Sequence, residues 1–424
     1  MQIRPLTLAL CATTALAASA GQAKQNAIPA PLARGFSAIP SPAAEGAGEP
    51  NLTTDAKGRV WLNWLEPRPG GGQRFRLSSL SGNAWSQPVT ITEGASLLAN
   101  WADFPSVFVT SDGTIAAHWL ERAAARGAYG IRVVTSKDGG RSWTKATIPH
   151  PGSETGEHGF VSFFEAPVGG PGFEAPGGGL GLVWLDGRDV AGAGHAAPGH
   201  AGGMALRSTF IKNGAAGADL LVDARVCDCC QTSAARSGAG VLVAYRDRSE
   251  KEIRDTSIVR FSGGKWSEPV TVHADQWEIN GCPVNGPVVA AAGTAAAVAW
   301  FTGAGNTPKT LVAFSGDEGR SFGTPIRIDV DAKVTLGRLA MVMPSADRVL
   351  VSSLERTDSG AHLVLRDVRR DGRISAPVEI SAATPERTGG FARLAASGTK
   401  VVVAWTDVRP GVPAAVRTAI AEVR

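Results

Sequence analysis

Apolar residues in this chain fall in short runs, alternating or continuous, bounded by Gly, Pro, Asn and Asp, and not at the three-to-four spacing of amphipathic helices. Runs that end in an aromatic residue followed by charge recur along the whole length. They are RVWLNWLEPR (59–68), TIAAHWLER (114–122), LGLVWLDGR (180–188), VLVAYRDR (241–248), AAVAWFTG (296–303), VLVSSLER (349–356) and VVVAWTDVR (401–409). Successive starts lie roughly 50 to 65 residues apart, room for about four strands with their turns. A second motif falls between them: GNAWSQPV (82–89), GRSWTKAT (140–147), GKWSEPV (264–270), GRSFGTPI (319–326) and GRISAPVEI (372–380). A further apolar run precedes each aromatic one, as in PNLTTD (50–55), FPSVFVTSD (104–112) and GPVVAAAG (286–293). One unit therefore reads strand A, turn, aromatic strand B, loop, strand C, turn, strand D.

A ring of such four-stranded antiparallel sheets is an all-β propeller, whereas open solenoids use shorter repeats with capping units. The count predicts seven blades, with six as the alternative if one unit is not a true blade. The last unit stops after AAVRTAIAEVR, which supplies strand C and no strand D. The segment around GFSAIP (35–40) is predicted to provide that strand and close the ring.

Composition agrees with turns, since Gly (52) and Pro (26) are abundant among the 424 residues. The formal net charge is +4 with the basic residues scattered, which argues against a nucleic-acid partner. Residues 1–23 read as a secretory signal: a charged start at Arg4, an apolar stretch from Leu6 to Ala18, then small residues for cleavage. A linker over 24–34 and a single domain over 35–424 follow, and no segment is long enough to span a bilayer. The expected location is periplasmic or secreted; the oligomeric state stays open.

Cleavage would remove Cys11 and leave Cys227, Cys229, Cys230 and Cys282, an even number in an oxidising compartment. Two disulfides bracing long loops are the first expectation, although the adjacent Cys229 and Cys230 make the geometry awkward. A thiolate site for Cu or Zn, joined by His195 and His200 of GHAAPGH, is the second. The third is a redox pair formed by Cys227 and Cys230. Otherwise no cofactor is required. Phasing of the repeat puts CDCC on the D–A connection into the fourth unit and Cys282 on the next such connection, so the four cysteines should meet on one face.

Two C–D turns, SKDGGRSW (136–143) and SGDEGRSF (315–322), resemble the Asp-box S-x-D-x-G-x-[ST]-W, or BNR repeat, of the sialidase (neuraminidase) superfamily. Asp138 and Asp317 would accept turn hydrogen bonds, while Trp143 and Phe322 pack between sheets. The resemblance implies a propeller that takes a glycan or small anionic ligand, and glycoside hydrolysis of the exo-sialidase type. Carried onto this chain, it makes Tyr245 the nucleophile with Glu252 or Glu250 as base, and Asp186 or Asp247 the acid. Arg188, Arg246, Arg248 and Arg254 become anion binders, while Trp101 and Trp277, both in loops, are candidates for stacking on a sugar. The F/Y-R-I-P segment that brings the family's first arginine has no counterpart here. The alternative is a non-catalytic or metal-binding propeller centred on the cysteine loops. The charged ends of the B strands (Glu66, Glu121, Asp186, Asp247, Glu355, Asp407) form either a ring of supporting ion pairs or a polar funnel for a ligand.

Overall fold

The computed structural model describes residues 33–151, 156–166, 179–190, 203–386, 388–389 and 391–423. Their strands form seven small antiparallel sheets, and the first strands of successive sheets pack against one another in a closed ring. The protein is a seven-bladed β-propeller, which settles the blade count. The A strands around the channel are Gly48–Thr54, Ser106–Val109, His158–Ala166, Ser233–Ser237, Val288–Ala292, Thr335–Ser345 and Arg393–Ser397, for blades 1 to 7. Closure is as expected: Ala33–Ile39 pairs antiparallel with the last strand, Val412–Val423, and supplies the outer strand of blade 7. That pairing gives blade 7 its fourth strand and closes the ring.

Strand B of each blade is apolar on both sides because the blade lies between two neighbours. In blade 7, Val401 to Ala404 are all fully buried. Separate apolar clusters fill the layers between blades, for example Phe75, Leu77, Val107 and Val134 between blades 1 and 2. The blades are less uniform than the repeat suggests. Blade 2 has three strands, its fourth position being a single bridge from Val133 to Thr147, and the outer strand of blade 5 is only Ile326–Arg327.

Charge at the B-strand ends serves the fold. Trp64 Nε1 donates to Glu66 (2.9 Å), Trp119 Nε1 to Glu121 (3.0 Å) and Trp184 Nε1 to Asp186 (2.7 Å). Arginines on the adjacent C strands complete the arrangement, with Arg76 on Glu66 (3.2 Å), Arg132 on Glu121 (3.1 Å) and Arg417 on Asp407 (3.2 Å). In blade 6, Arg366 grips Glu355 at 2.6 and 3.1 Å. A buried indole N–H needs an acceptor and a buried carboxylate needs a cation, so Trp-x-acid facing Arg satisfies both. Ion pairs describe Glu66, Glu121, Asp186, Glu355 and Asp407, whereas Asp247 has no cation partner among the described residues.

Both Asp-box turns form. Asp138 accepts from the backbone N–H of Arg141 and Ser142 (2.9 and 3.0 Å) and from Ser142 Oγ (2.6 Å). Asp317 accepts from Ser321 N (3.0 Å) and Ser321 Oγ (2.6 Å). Trp143 and Phe322 pack against the apolar layers beside them. Although burial works the other way, the Ser321 and Ser315 hydroxyls hold the Asp317 carboxyl at about 2. These turns are folding elements at the face opposite the D–A loops.

Candidate functional site

The A strands begin at the face that carries the D–A loops, and several of them open with a bulge. Register shifts occur between Gly48 and Asn51, Gly159 and Ser162, and Gly337 and Ala340, with Glu49, Phe160 and Arg338 in the left-handed region (φ 50°, 55° and 56°). A bulge re-aims one side chain toward the axis. Asp103 secures one of them: its Oδ1 accepts from Phe160 N (2.7 Å), and Gly159 leaves the space that Asp103 and the Tyr129 ring occupy.

Between these strand starts lies a cavity of about 270 Å³ in the central channel, lined by Asn51, Asp103, Ser162, Gln231, Thr232 and Arg393 among others. Gln231 ties its rim, donating to Ala102 O (2.6 Å) and accepting from Gly286 N (3.1 Å). Arg393 lies with its guanidinium carbon 4.4 Å from the Phe104 ring centroid and makes no hydrogen bond or ion pair with the described residues. Burial pushes this arginine down to about 10. Arg393 is half-buried, whereas more deeply buried arginines have acceptors: Arg246 donates to three backbone carbonyls, and Arg366 and Arg348 hold carboxylates. Glu49, on the strand beside that of Arg393, is raised by burial to about 7. Aromatic rings flank the mouth, with Phe391 5.3 Å from Phe104 and 6.0 Å from Trp101.

The expected catalytic residues do not form the expected constellation. Tyr245 occupies in blade 4 the place of the B-strand tryptophans, is fully buried, and donates to Asp223 Oδ2 (2.6 Å). Its hydroxyl is raised far above the usual phenol by burial and then by Asp223. Glu252 instead receives Arg248 (2.9 Å), Arg254 (2.7 Å) and Arg225 (3.3 Å). Glu250 is exposed on the same loop. Asp186 is buried and accepts from His158 (3.1 Å), Trp184 and Arg188; against the effect of burial, Arg188 and His158 hold it well below the carboxylate range. That makes it a poor proton donor. Asp247 is raised, by burial and then by Asp223, and accepts from Ser257 (3.2 Å).

Nor are the four arginines free for a ligand. Arg188 pairs with Asp186 and Asp219, Arg248 with Asp228 and Glu252, and Arg254 with Glu252. Arg246 is buried under Trp277, its guanidinium carbon 4.8 Å from the ring centroid, with Phe301 edge-on at 5.7 Å. Trp277 is therefore committed to the interior, whereas Trp101 stays half-buried at the mouth. His195 and His200 lie outside the described residues. His158 and His150 stack, ring centroids 3.9 Å apart, a pairing the sequence did not announce.

The cysteines do converge. The Cys227, Cys229 and Cys230 sulfurs lie within 4.8 Å of one another, and Cys282 meets Cys229. None of the four is disulfide-bonded in the structure, so neither expected disulfide is present there. Cys227 is held well below the ordinary thiol range by its Cys229 and Cys230 partners and by Arg254, whereas burial pushes Cys230 up to about 12. Both neighbourhoods share one apolar cluster, which contains Phe104, Phe160, Phe391 and the three clustered cysteines.

No protein-family model matches the chain, and no curated protein matches it. Solved structures do. A protein of unknown function from Dyadobacter fermentans has a TM-score of 0.51 at 16% identity, covering 92% of this chain and 99% of that one. The GH93 α-L-arabinofuranosidase of Fusarium graminearum, in complex with arabinobiose, gives 0.50 at 13%, covering 92% and 98%. Polysaccharide lyase Uly1 gives 0.50 at 11%, covering 89% and 90%. At these identities the likeness is one of fold. The resemblance drawn from the Asp-boxes thus widens from sialidases to a seven-bladed propeller architecture that carbohydrate-active enzymes also use.

Proposed function

We propose that this chain is an exported propeller that recognises an acidic saccharide at the loop-bearing mouth of its central channel. The observation that carries the reading is Arg393, whose guanidinium lines a polar cavity that Asp103 also lines and makes no hydrogen bond or ion pair among the described residues. A desolvated arginine without an anion is costly, and a carboxylate or sulfate offers it a bidentate partner. The volume, about 270 Å³, lies just under the range of about 300–1,000 Å³ for small-molecule sites and suits a single sugar unit. Asn51, Ser162 and Thr232 on the same wall supply hydroxyl and amide partners, and Trp101 and Phe391 supply apolar surface at the rim. The saccharide class is taken from the fold neighbours, an arabinofuranosidase and a polysaccharide lyase. Glu49, on the strand beside that of Arg393, has a carboxyl raised to about 7 and is the acid we assign if the bound sugar is turned over.

Calorimetric titration with matched pairs, glucuronate against glucose and N-acetylneuraminate against N-acetylmannosamine, tests this. The acidic member of at least one pair should bind and its neutral partner should not. Affinity should fall as pH rises through about 7, because the Glu49 carboxyl, neutral below its raised value, then adds a negative charge on the strand beside that of Arg393. Equal binding of acidic and neutral sugars, or none of either, would remove the proposal.

A further inference from the structure

Cys227, Cys229 and Cys230 follow the last strand of blade 3 (Leu220–Val226) and lead into blade 4, while Cys282 precedes the first strand of blade 5 (Val288–Ala292). The two segments therefore bracket blade 4 on the loop-bearing face. Cys227 and Cys230 sulfurs stand 3.6 Å apart. A tetrahedral ion with metal–sulfur bonds of about 2.3 Å requires sulfur–sulfur edges of about 3.8 Å. The spacing of Cys227, Cys229 and Cys230 is thus that of three ligands around a common centre, and Cys282 approaches through Cys229 as the fourth.

The surroundings are built for negative charge on sulfur. Arg254 Nη1 donates to Cys227 Sγ at 3.4 Å, and Arg254 is itself aligned by Glu252 at 2.7 Å. Arg248 grips Asp228 (2.8 Å), the residue between the first two cysteines, and Asp228 also accepts from Met204 N (2.9 Å). That clamp turns Asp228 away from the sulfurs and fixes the loop, and Cys227 N donates to Arg246 O (3.0 Å). The three clustered cysteines are 1%, 5% and 2% exposed, so thiolates there would need both a cation and these donors.

We infer that Cys227, Cys229, Cys230 and Cys282 bind one thiophilic d10 ion, Zn(II) or Cu(I), in an all-sulfur site. Four protein ligands leave no open position, so the ion is structural and takes no part in a reaction. It pins the loop entering blade 4 to the loop leaving it and so fixes one wall of the channel mouth. The inference is independent of the saccharide proposal.

The test uses the full chain exported to a bacterial periplasm and purified without reductant or chelator. Elemental analysis should find one zinc or copper per chain, either metal supporting the site. The four thiols should resist a thiol reagent in the native protein and all react after denaturation with chelator, still without reductant. Cd(II) added to the metal-stripped wild type should give the ultraviolet charge-transfer band of sulfur ligation, at one equivalent. Cys282→Ser should weaken metal retention at least tenfold; if that variant does not fold, the wild-type Cd(II) titration decides alone. Fewer than four thiols without reductant and no metal would establish disulfides and overturn the site, as would four thiols reactive in the native protein with no Cd(II) band.

Discussion

Asp186→Ala is expected to lower the unfolding free energy by about 3–5 kcal/mol, the range for stripping one partner from a buried charged network. His158, Trp184 and Arg188 all donate to this carboxylate, whose side chain is fully buried. Without it a buried indole N–H and an imidazole nitrogen lose this acceptor together, and Arg188 is left with Asp219 alone. Asp186→Asn keeps an acceptor without the charge and should cost less. The sign with pH follows from the depressed carboxyl. Because the folded value lies below the unfolded value of about 3.9, the contribution is complete above about pH 5 and is lost on acidification. Denaturant titrations at pH 7 and pH 3 should therefore show the wild type losing more stability than Asp186→Ala. Equal losses would mean that the network carries no net charge interaction.

Gly159→Ala should be comparably damaging, for a different reason. A Cβ at 159 would overlap Asp103 Oδ2 and stand 3.0 Å from Asp103 Cγ and 3.1 Å from the Tyr129 ring. Overpacking typically costs about 1–3 kcal/mol. Moving Asp103 aside also breaks its bond to Phe160 N, which holds Phe160 in the left-handed region, and a charged hydrogen bond adds about 1.5–3 kcal/mol. A double-mutant cycle isolates the cause. In the background of Asp103→Ala, Gly159→Ala should cost markedly less than alone, since the clashing oxygen is gone. Additive effects would place the damage elsewhere. Asp103 also lines the cavity, so Gly159→Ala should weaken ligand binding as well.

These two residues show what the sequence does and does not disclose. The seven aromatic strands, the closing strand and the Asp-box turns follow from periodicity and local chemistry, and each formed where expected. Even Asp186 was visible, but its partners were not. In blades 1 to 3 the acid two residues after the B-strand tryptophan accepts that indole's N–H, and a lone sequence offers the pair without the orientation. Tyr245 misleads for the same reason: it stands where other blades place tryptophan, and strand alternation turns it inward toward Asp223. Asp103 and Phe160 belong to different blades and meet only because consecutive blades pack side by side. Arg393 is distinguished by what it lacks, and a missing partner shows only once the three-dimensional surroundings of the side chain are known. Convergence of the four cysteines was legible from repeat phase; their unbridged state was not.

The most direct measurement is calorimetric titration of whichever acidic sugar binds, glucuronate or N-acetylneuraminate, into wild type and Arg393→Met, a substitution that keeps the stem beside Phe104 while removing the charge. With the fold intact by circular dichroism, affinity should drop at least a hundredfold, while binding of the neutral partner stays undetectable in both. Unchanged affinity in Arg393→Met would contradict the placement of the anion site at the channel mouth.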